Sequence, residues 1–161
     1  MTELYLLRHA DAGDPLAWDG PDDRRPLSSK GEKLAERLGR FLAAMGFHPD
    51  AIITSPRVRA ARTAEIVGAS LGVTVSEDAL LGGALGLDEL ERVLRAAGDP
   101  DRTVVVGHDP DFTELVEVLC AGTRVPMRKG ALARIDVGRP LGAGGGTLRW
   151  LVPPDLLKPE R

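Results

Sequence analysis

The chain has 161 residues, 43% hydrophobic and 28% charged, with a formal net charge of −3. That size and balance fit one globular domain spanning 1–161, exclude disorder and speak against a broad nucleic-acid-binding face. The one cysteine, Cys120, excludes an intramolecular disulfide or a multi-cysteine metal site. The segment MTELYLLRHADAG has no basic n-region and does not read as a signal peptide, and no apolar run nears the roughly 20 residues of a membrane span, so a soluble cytoplasmic protein is expected.

The first predicted strand is Glu3 to Leu7, ending at Arg8-His9, and a polar loop follows from Asp11 to Pro26. Ser28 or Ser29 fits a helix N-cap, and Ser29 with Glu32 fits a capping box. Leu34, Leu38, Phe41, Leu42 and Met45 form one helical stripe, stopped by Gly46. Ala51 to Thr54 reads as a buried strand. A helix from about Arg57 to Leu71 follows, with Val58, Ala61, Ala64, Val67 and Leu71 on its apolar face. Val73 to Val75 is a third strand, Leu80 to Leu87 a glycine-rich loop, and Asp88 the cap of a helix carrying Leu90, Val93, Leu94 and Ala97.

Thr103 to Val106, with its run of three valines, reads as a strand buried on both faces. Gly107-His108-Asp109-Pro110 is a sharp turn, with Asp109 as cap and Pro110 as first residue of a helix whose core face is Phe112, Leu115, Val116 and Leu119. Ala131 to Val137 and Thr147 to Val152 pair as an antiparallel hairpin. Pro153 to Arg161 is a surface tail with Leu156 and Leu157 docked. The alternation predicts an α/β fold: a three-layer αβα domain with a mostly parallel sheet of about six strands and helices on both faces.

Ligands of such sheets sit at the carboxyl ends of the strands. Arg8-His9, the segment Ser55 to Arg62 and Gly107-His108 all fall there. The third histidine, His48, reads as a surface loop residue. Two arginines and two histidines at one point suit a phosphoryl group, because arginine binds oxyanions bidentately and stays charged. A neutral histidine is a competent nucleophile toward phosphorus. Nearby guanidinium groups keep it neutral, and a second, protonated histidine would stabilise transition-state charge.

Leu7-Arg8-His9-Ala10-Asp11-Ala12 resembles the Arg-His-Gly motif of the histidine phosphatase (phosphoglycerate-mutase-like) superfamily. Arg25-Pro26-Leu27-Ser28 with Gly31 is similar to its Pro-Leu-Thr-x-x-Gly segment. Ser55 to Ala64 is similar to its Ser-x-x-x-Arg-Ala-x-x-Thr-Ala element, and Val106 to Pro110 to its second-histidine turn. The resemblance implies His9 as nucleophile, with Arg8, Arg59 and His108 holding the phosphoryl oxygens and catalysing with it. Arg57 and Arg62 do not match the pocket position and read as solvated or paired. The motifs assign no role to Arg25 or Lys129, and sequence does not place either relative to the pocket. Length and the segments Met127 to Ala131 and Trp150 to Pro154 are similar to the SixA-type phosphohistidine phosphatases.

One departure stands out. Larger members carry a glutamate after the third strand that protonates a leaving alkoxide, and Leu80 to Gly86 has no carboxylate. A general acid is worth about 100- to 10,000-fold for such a leaving group. Its lack favours phosphoramidates and acyl phosphates. Asp109 and Asp11 are the remaining candidates for proton donor, against helix capping for Asp109 and a loop or arginine-orienting role for Asp11.

The expected activity is a metal-independent phosphohydrolase without a cofactor, acting on a phosphorylated protein such as a phosphohistidine-carrying domain. A small phosphorylated metabolite is the second reading, and a non-catalytic phosphate- or phosphoprotein-binding module the third.

Overall fold

The computed structural model describes residues 1–157. Six strands form one sheet: β1 (Thr2–Arg8), β2 (Ala51–Thr54), β3 (Val75–Glu77), β4 (Arg102–Gly107), β5 (Leu132–Val137) and β6 (Gly146–Val152). Their order is β3-β2-β4-β1-β5-β6. The first four are parallel neighbours, while β5 and β6 run antiparallel. The alternating side chains of each strand divide between two cores. Leu4, Leu6, Ile53 and Val105 face α3 (Leu87–Ala96) and α4 (Asp111–Leu119). Tyr5, Leu7, Ile52, Val104 and Val106 face α1 (Ser29–Ala44) and α2 (Val58–Leu71). The expected three layers, and the α/β class, are thus observed.

Adjacent strands β1 and β4 are left by connections that travel in opposite directions. The chain leaves β1 through α1 toward β2 and leaves β4 through α4 toward β5. This divergence opens a crevice at the carboxyl edge, the usual ligand position in such sheets. The parallel register pairs Arg8 with Gly107 and Thr54 with Val106. His9, His108 and Ser55 therefore emerge side by side from three neighbouring strands.

Several local expectations shift. Ser28, not Ser29, caps α1, its hydroxyl accepting from the Gly31 N–H. Glu32 pairs with Arg62 instead of closing a capping box. Leu34, Leu38 and Leu42 are buried as expected, but Phe41 and Met45 face out. The buried face of α2 is Arg59, Ala60, Thr63, Ala64, Ile66 and Val67, leaving Val58 exposed. The reason is that α2 presents polar residues to the strand ends as well as apolar ones to the sheet.

The third strand begins at Val75, because Val73 is taken up in the turn after α2. Gly86, not Asp88, precedes α3, and the Glu89 carboxylate accepts from the Gly86 N–H. Helix α4 begins at Asp111, so Pro110 stands just outside it. In the tail Leu157 packs against α1's side of the sheet while Leu156 is exposed, and 158–161 lie outside the described residues.

Candidate active site

The first histidine is fixed by backbone. The His9 N–H donates to Gly107 O, and the Gly130 N–H bridges the carbonyls of Arg8 and His9. Gly130 sits at φ +83° and a side chain there would strike Leu34, so glycine alone makes this close approach. The Ala10 N–H donates to Thr63 Oγ1, which in turn donates to the Arg59 carbonyl. His9 is 5% exposed, and its Nδ1–H donates to the Ala10 carbonyl at 2.7 Å. That bond leaves Nε2 with its lone pair free. Burial, with Arg59, Arg8 and Lys129 nearby, pushes the His9 pKa down to about 4.

The second imidazole lies 5.3 Å from the first, centroid to centroid, tilted by 54°. Its Nε2 stands 2.7 Å from Ser55 Oγ. Ser55 Oγ already accepts from the Arg57 N–H, so its own hydrogen is free to go to His108. With the hydroxyl donating to Nε2, His108 carries its proton on Nδ1; that nitrogen is buried and has no partner among the described residues. Burial, followed by the charges of His9, Arg57, Arg59 and Arg8, lowers the His108 pKa to about 3. The depressed pKa favours a neutral imidazole at His108, and the charge stabilisation that sequence attaches to a protonated ring would need a proton gained with the substrate.

Both guanidinium groups are held by their outer nitrogens. Arg8 Nη1 donates to Met127 O at 2.8 Å and stands 4.0 Å from Asp109. Arg59 donates to the Asp22 carbonyl at 2.8 Å and to its carboxylate at 3.0 Å. In each, the Nε is buried without a partner among the described residues. The Arg8 and Arg59 Nε–H groups, and Nδ1 of His108, thus lack a partner from backbone or side chain among the described residues. Unpaired buried donors of this kind are costly unless a ligand satisfies them.

The structure separates the remaining candidates. Arg57 donates to Gly82 O and pairs with Asp23 at the rim, although its charge still reaches His108. Arg62 pairs with Glu32 and Glu65, away from the imidazoles. Arg25 is a buried strut that donates to Ala12 O and to Asp22. Lys129 lies 3.4 Å from Asp11, and its charge acts on His9. Asp109 accepts from the Thr113 N–H and hydroxyl, fastening the start of α4 as a cap would. For Asp11, burial alone would raise the pKa. The Ser28 hydroxyl, the Gly13 N–H and two lysines outweigh it and hold the carboxyl below its usual range.

The third histidine, His48, lies elsewhere, lining an apolar hollow of about 440 Å³ with Tyr5, Phe47 and Trp150. That hollow borders Glu3 and Arg102, at the opposite ends of the strands from His9. Sequence reading had no role for Ser55 or Asp22. The serine stood inside a quoted motif, but its contact spans 53 residues, and Asp22 sat in a loop with no periodic signal.

The chain is similar to known proteins in sequence and fold. Residues 4–84 match the family model described as histidine phosphatase superfamily (branch 1). An uncharacterized protein of Picosynechococcus sp. is 40% identical over 125 residues, 74% of each chain. The phosphohistidine phosphatase SixA of Escherichia coli is 28% identical over 163 residues, covering 97% of this chain and 96% of its own. A solved structure of the protein histidine phosphatase SixA complexed with tungstate superposes with a TM-score of 0.83 at 25% identity, over 98% of this chain and 100% of that one. The chain thus belongs to the histidine phosphatase superfamily, branch 1.

Proposed function

We propose that the protein is a phosphohistidine phosphatase acting on phosphorylated protein, with His9 as nucleophile. The observation that carries this is the free Nε2 of a neutral His9 beside three unpartnered donors, Arg8 Nε, Arg59 Nε and His108 Nδ1. Those donors suit a tetrahedral oxyanion, and the similar SixA structure holds one, tungstate. In the first step Nε2 attacks phosphorus and the bond to the leaving group breaks. In the second, water attacks the phosphorus of phospho-His9, inorganic phosphate leaves, and the imidazole is restored. Neutrality at Nε2 is what makes the attack possible.

The leaving group decides the substrate class. Asp11 is held ionised and Asp109 is occupied as an acceptor by Thr113. The segment after β3 supplies backbone instead of carboxylate: Leu81 is buried and Gly82 O serves Arg57. A phosphohistidine protonated on its second ring nitrogen departs as neutral imidazole and needs no strong acid, unlike an alkoxide. The test is hydrolysis of a phosphohistidine-bearing carrier domain beside a sugar phosphate and p-nitrophenyl phosphate, with His9→Ala as control. Preference for the carrier, lost together with an acid-labile phosphoenzyme in His9→Ala, is expected. Preference for the sugar phosphate would move the protein to the metabolite phosphatases, with Asp109 first in line as the acid. Phosphate binding without any phosphoenzyme would favour a binding module.

A further inference from the structure

Resting on that reading, we propose that a basic groove beside the active site reads carboxylates near the phosphohistidine on the substrate protein. The groove has a volume of about 280 Å³ and carries Lys30, Arg37, Arg128 and Lys129 against Asp11 and Asp155. This is a concentration of positive charge in a chain whose net charge is −3. The two carboxylates are committed, Asp155 to Arg128 and Asp11 to Lys129, each at 3.4 Å. Lys30 and Arg37 have no ion-pair partner among the described residues. Arg37 goes further, because its Nε is buried and lacks a hydrogen-bond acceptor among those residues. The side chain as a whole is half-buried and makes no ion pair among the described residues, so its terminal nitrogens are the ones left for an incoming carboxylate.

The groove lies close to the catalytic centre in the chain and in charge. Lys129 precedes Gly130, whose N–H is pinned to the Arg8 and His9 carbonyls, and the charge of Lys129 acts on His9. Asp11 stands two residues beyond His9 and shares the wall with Lys30. From there the groove follows α1, where Lys30, Leu34 and Arg37 lie on one face. Seven residues of helix separate Lys30 from Arg37 by about 10 Å. Two cations that far apart, in an open groove, match carboxylates about two turns apart on a helical protein surface better than the crowded anionic groups of one small metabolite.

The test compares wild type with a Lys30→Glu/Arg37→Glu double variant and a milder Lys30→Gln/Arg37→Gln variant. The substrates are a histidine-phosphotransfer domain phosphorylated with phosphoramidate and carrying carboxylates beside its histidine, p-nitrophenyl phosphate, and a bisphosphorylated sugar. On the domain, kcat/KM falls about tenfold in the charge-reversed variant, carried by KM, and the loss shrinks as salt rises. Turnover of p-nitrophenyl phosphate stays at the wild-type level, which also reports correct folding. Converting the domain's flanking carboxylates to lysine restores part of the loss in the reversed variant.

An unchanged KM for the domain in both variants, with wild type active on it, overturns the groove proposal alone. An equal loss on the bisphosphorylated sugar also overturns it, in favour of a small-anion subsite. Wild type inactive on the domain but active on p-nitrophenyl phosphate defeats the phosphohistidine reading and this proposal with it.

Discussion

Ser55 sets what His108 can do. When it donates to Nε2, the imidazole proton sits on Nδ1, which has no other partner among the described residues. Ser55→Ala removes that direction while leaving the ring in place. The expected result is about a tenfold loss in kcat/KM, the scale of one hydrogen bond, with mixed tautomers in the ring nitrogen shifts of His108. A fall in activity without a tautomer change would assign Ser55 to the loop instead, through its bond to the Arg57 N–H. His9 is tested by titration. Its pKa near 4 means that its ring protons show no inflection between pH 8 and 5, where an ordinary histidine titrates near 6.5. Arg8→Gln removes one positive neighbour and moves the inflection upward.

At the scale of elements, the site depends on how closely α1 meets the loop that leaves β1. Gly31 packs against the Asp11 carbonyl, so a methyl group there would overlap backbone that has no side-chain freedom to yield. Gly31→Ala is therefore expected to cost about 1 to 3 kcal/mol, as overpacking does. It should also lower activity by displacing the segment two residues beyond His9, with Tm and kcat measured together. Unchanged activity with a lowered Tm would show that the catalytic strand end is insulated from α1. The α2 helix teaches a related point. Hydropathy alone puts Val58 inside, whereas Arg59 and Thr63 are the buried residues. Arg59 is inside because Asp22 and the strand ends give its donors work, a reason absent from the periodicity.

For the whole molecule, two buried neutral imidazoles make stability depend on pH. Both histidines have folded-state pKa values depressed below the ordinary 6.5, to about 4 and about 3. Between 6.5 and 4 the unfolded chain binds protons that the folded one refuses, so stability falls as pH falls through that window. For His9 alone the loss approaches roughly 3 kcal/mol at its acid limit. Denaturant midpoints at pH 7 and pH 5 measure this, and a His9→Asn/His108→Asn variant should flatten the difference. An equally steep fall in that variant would place the acid sensitivity elsewhere. No helix among the described residues is long and apolar enough to cross a membrane.

Sequence by itself determined the layered fold and the three segments that meet at its carboxyl edge. Valine runs, helical stripes and capping residues are local signals, and they place Arg8-His9, the segment Ser55 to Arg62 and Gly107-His108 at the carboxyl edge of a mostly parallel sheet, while the family resemblance singles out Arg59 within that segment. Tertiary structure decided how those side chains are held. Met127 O lies 119 residues from Arg8, Ser55 lies 53 from His108, and Asp22 lies 37 from Arg59. It also decided that Lys30 and Arg37 share a groove with Lys129. Contacts across such separations follow from which strand lies beside which. Hydrophobic periodicity carries no record of strand order, so the partners of each catalytic candidate become visible only once the sheet is assembled.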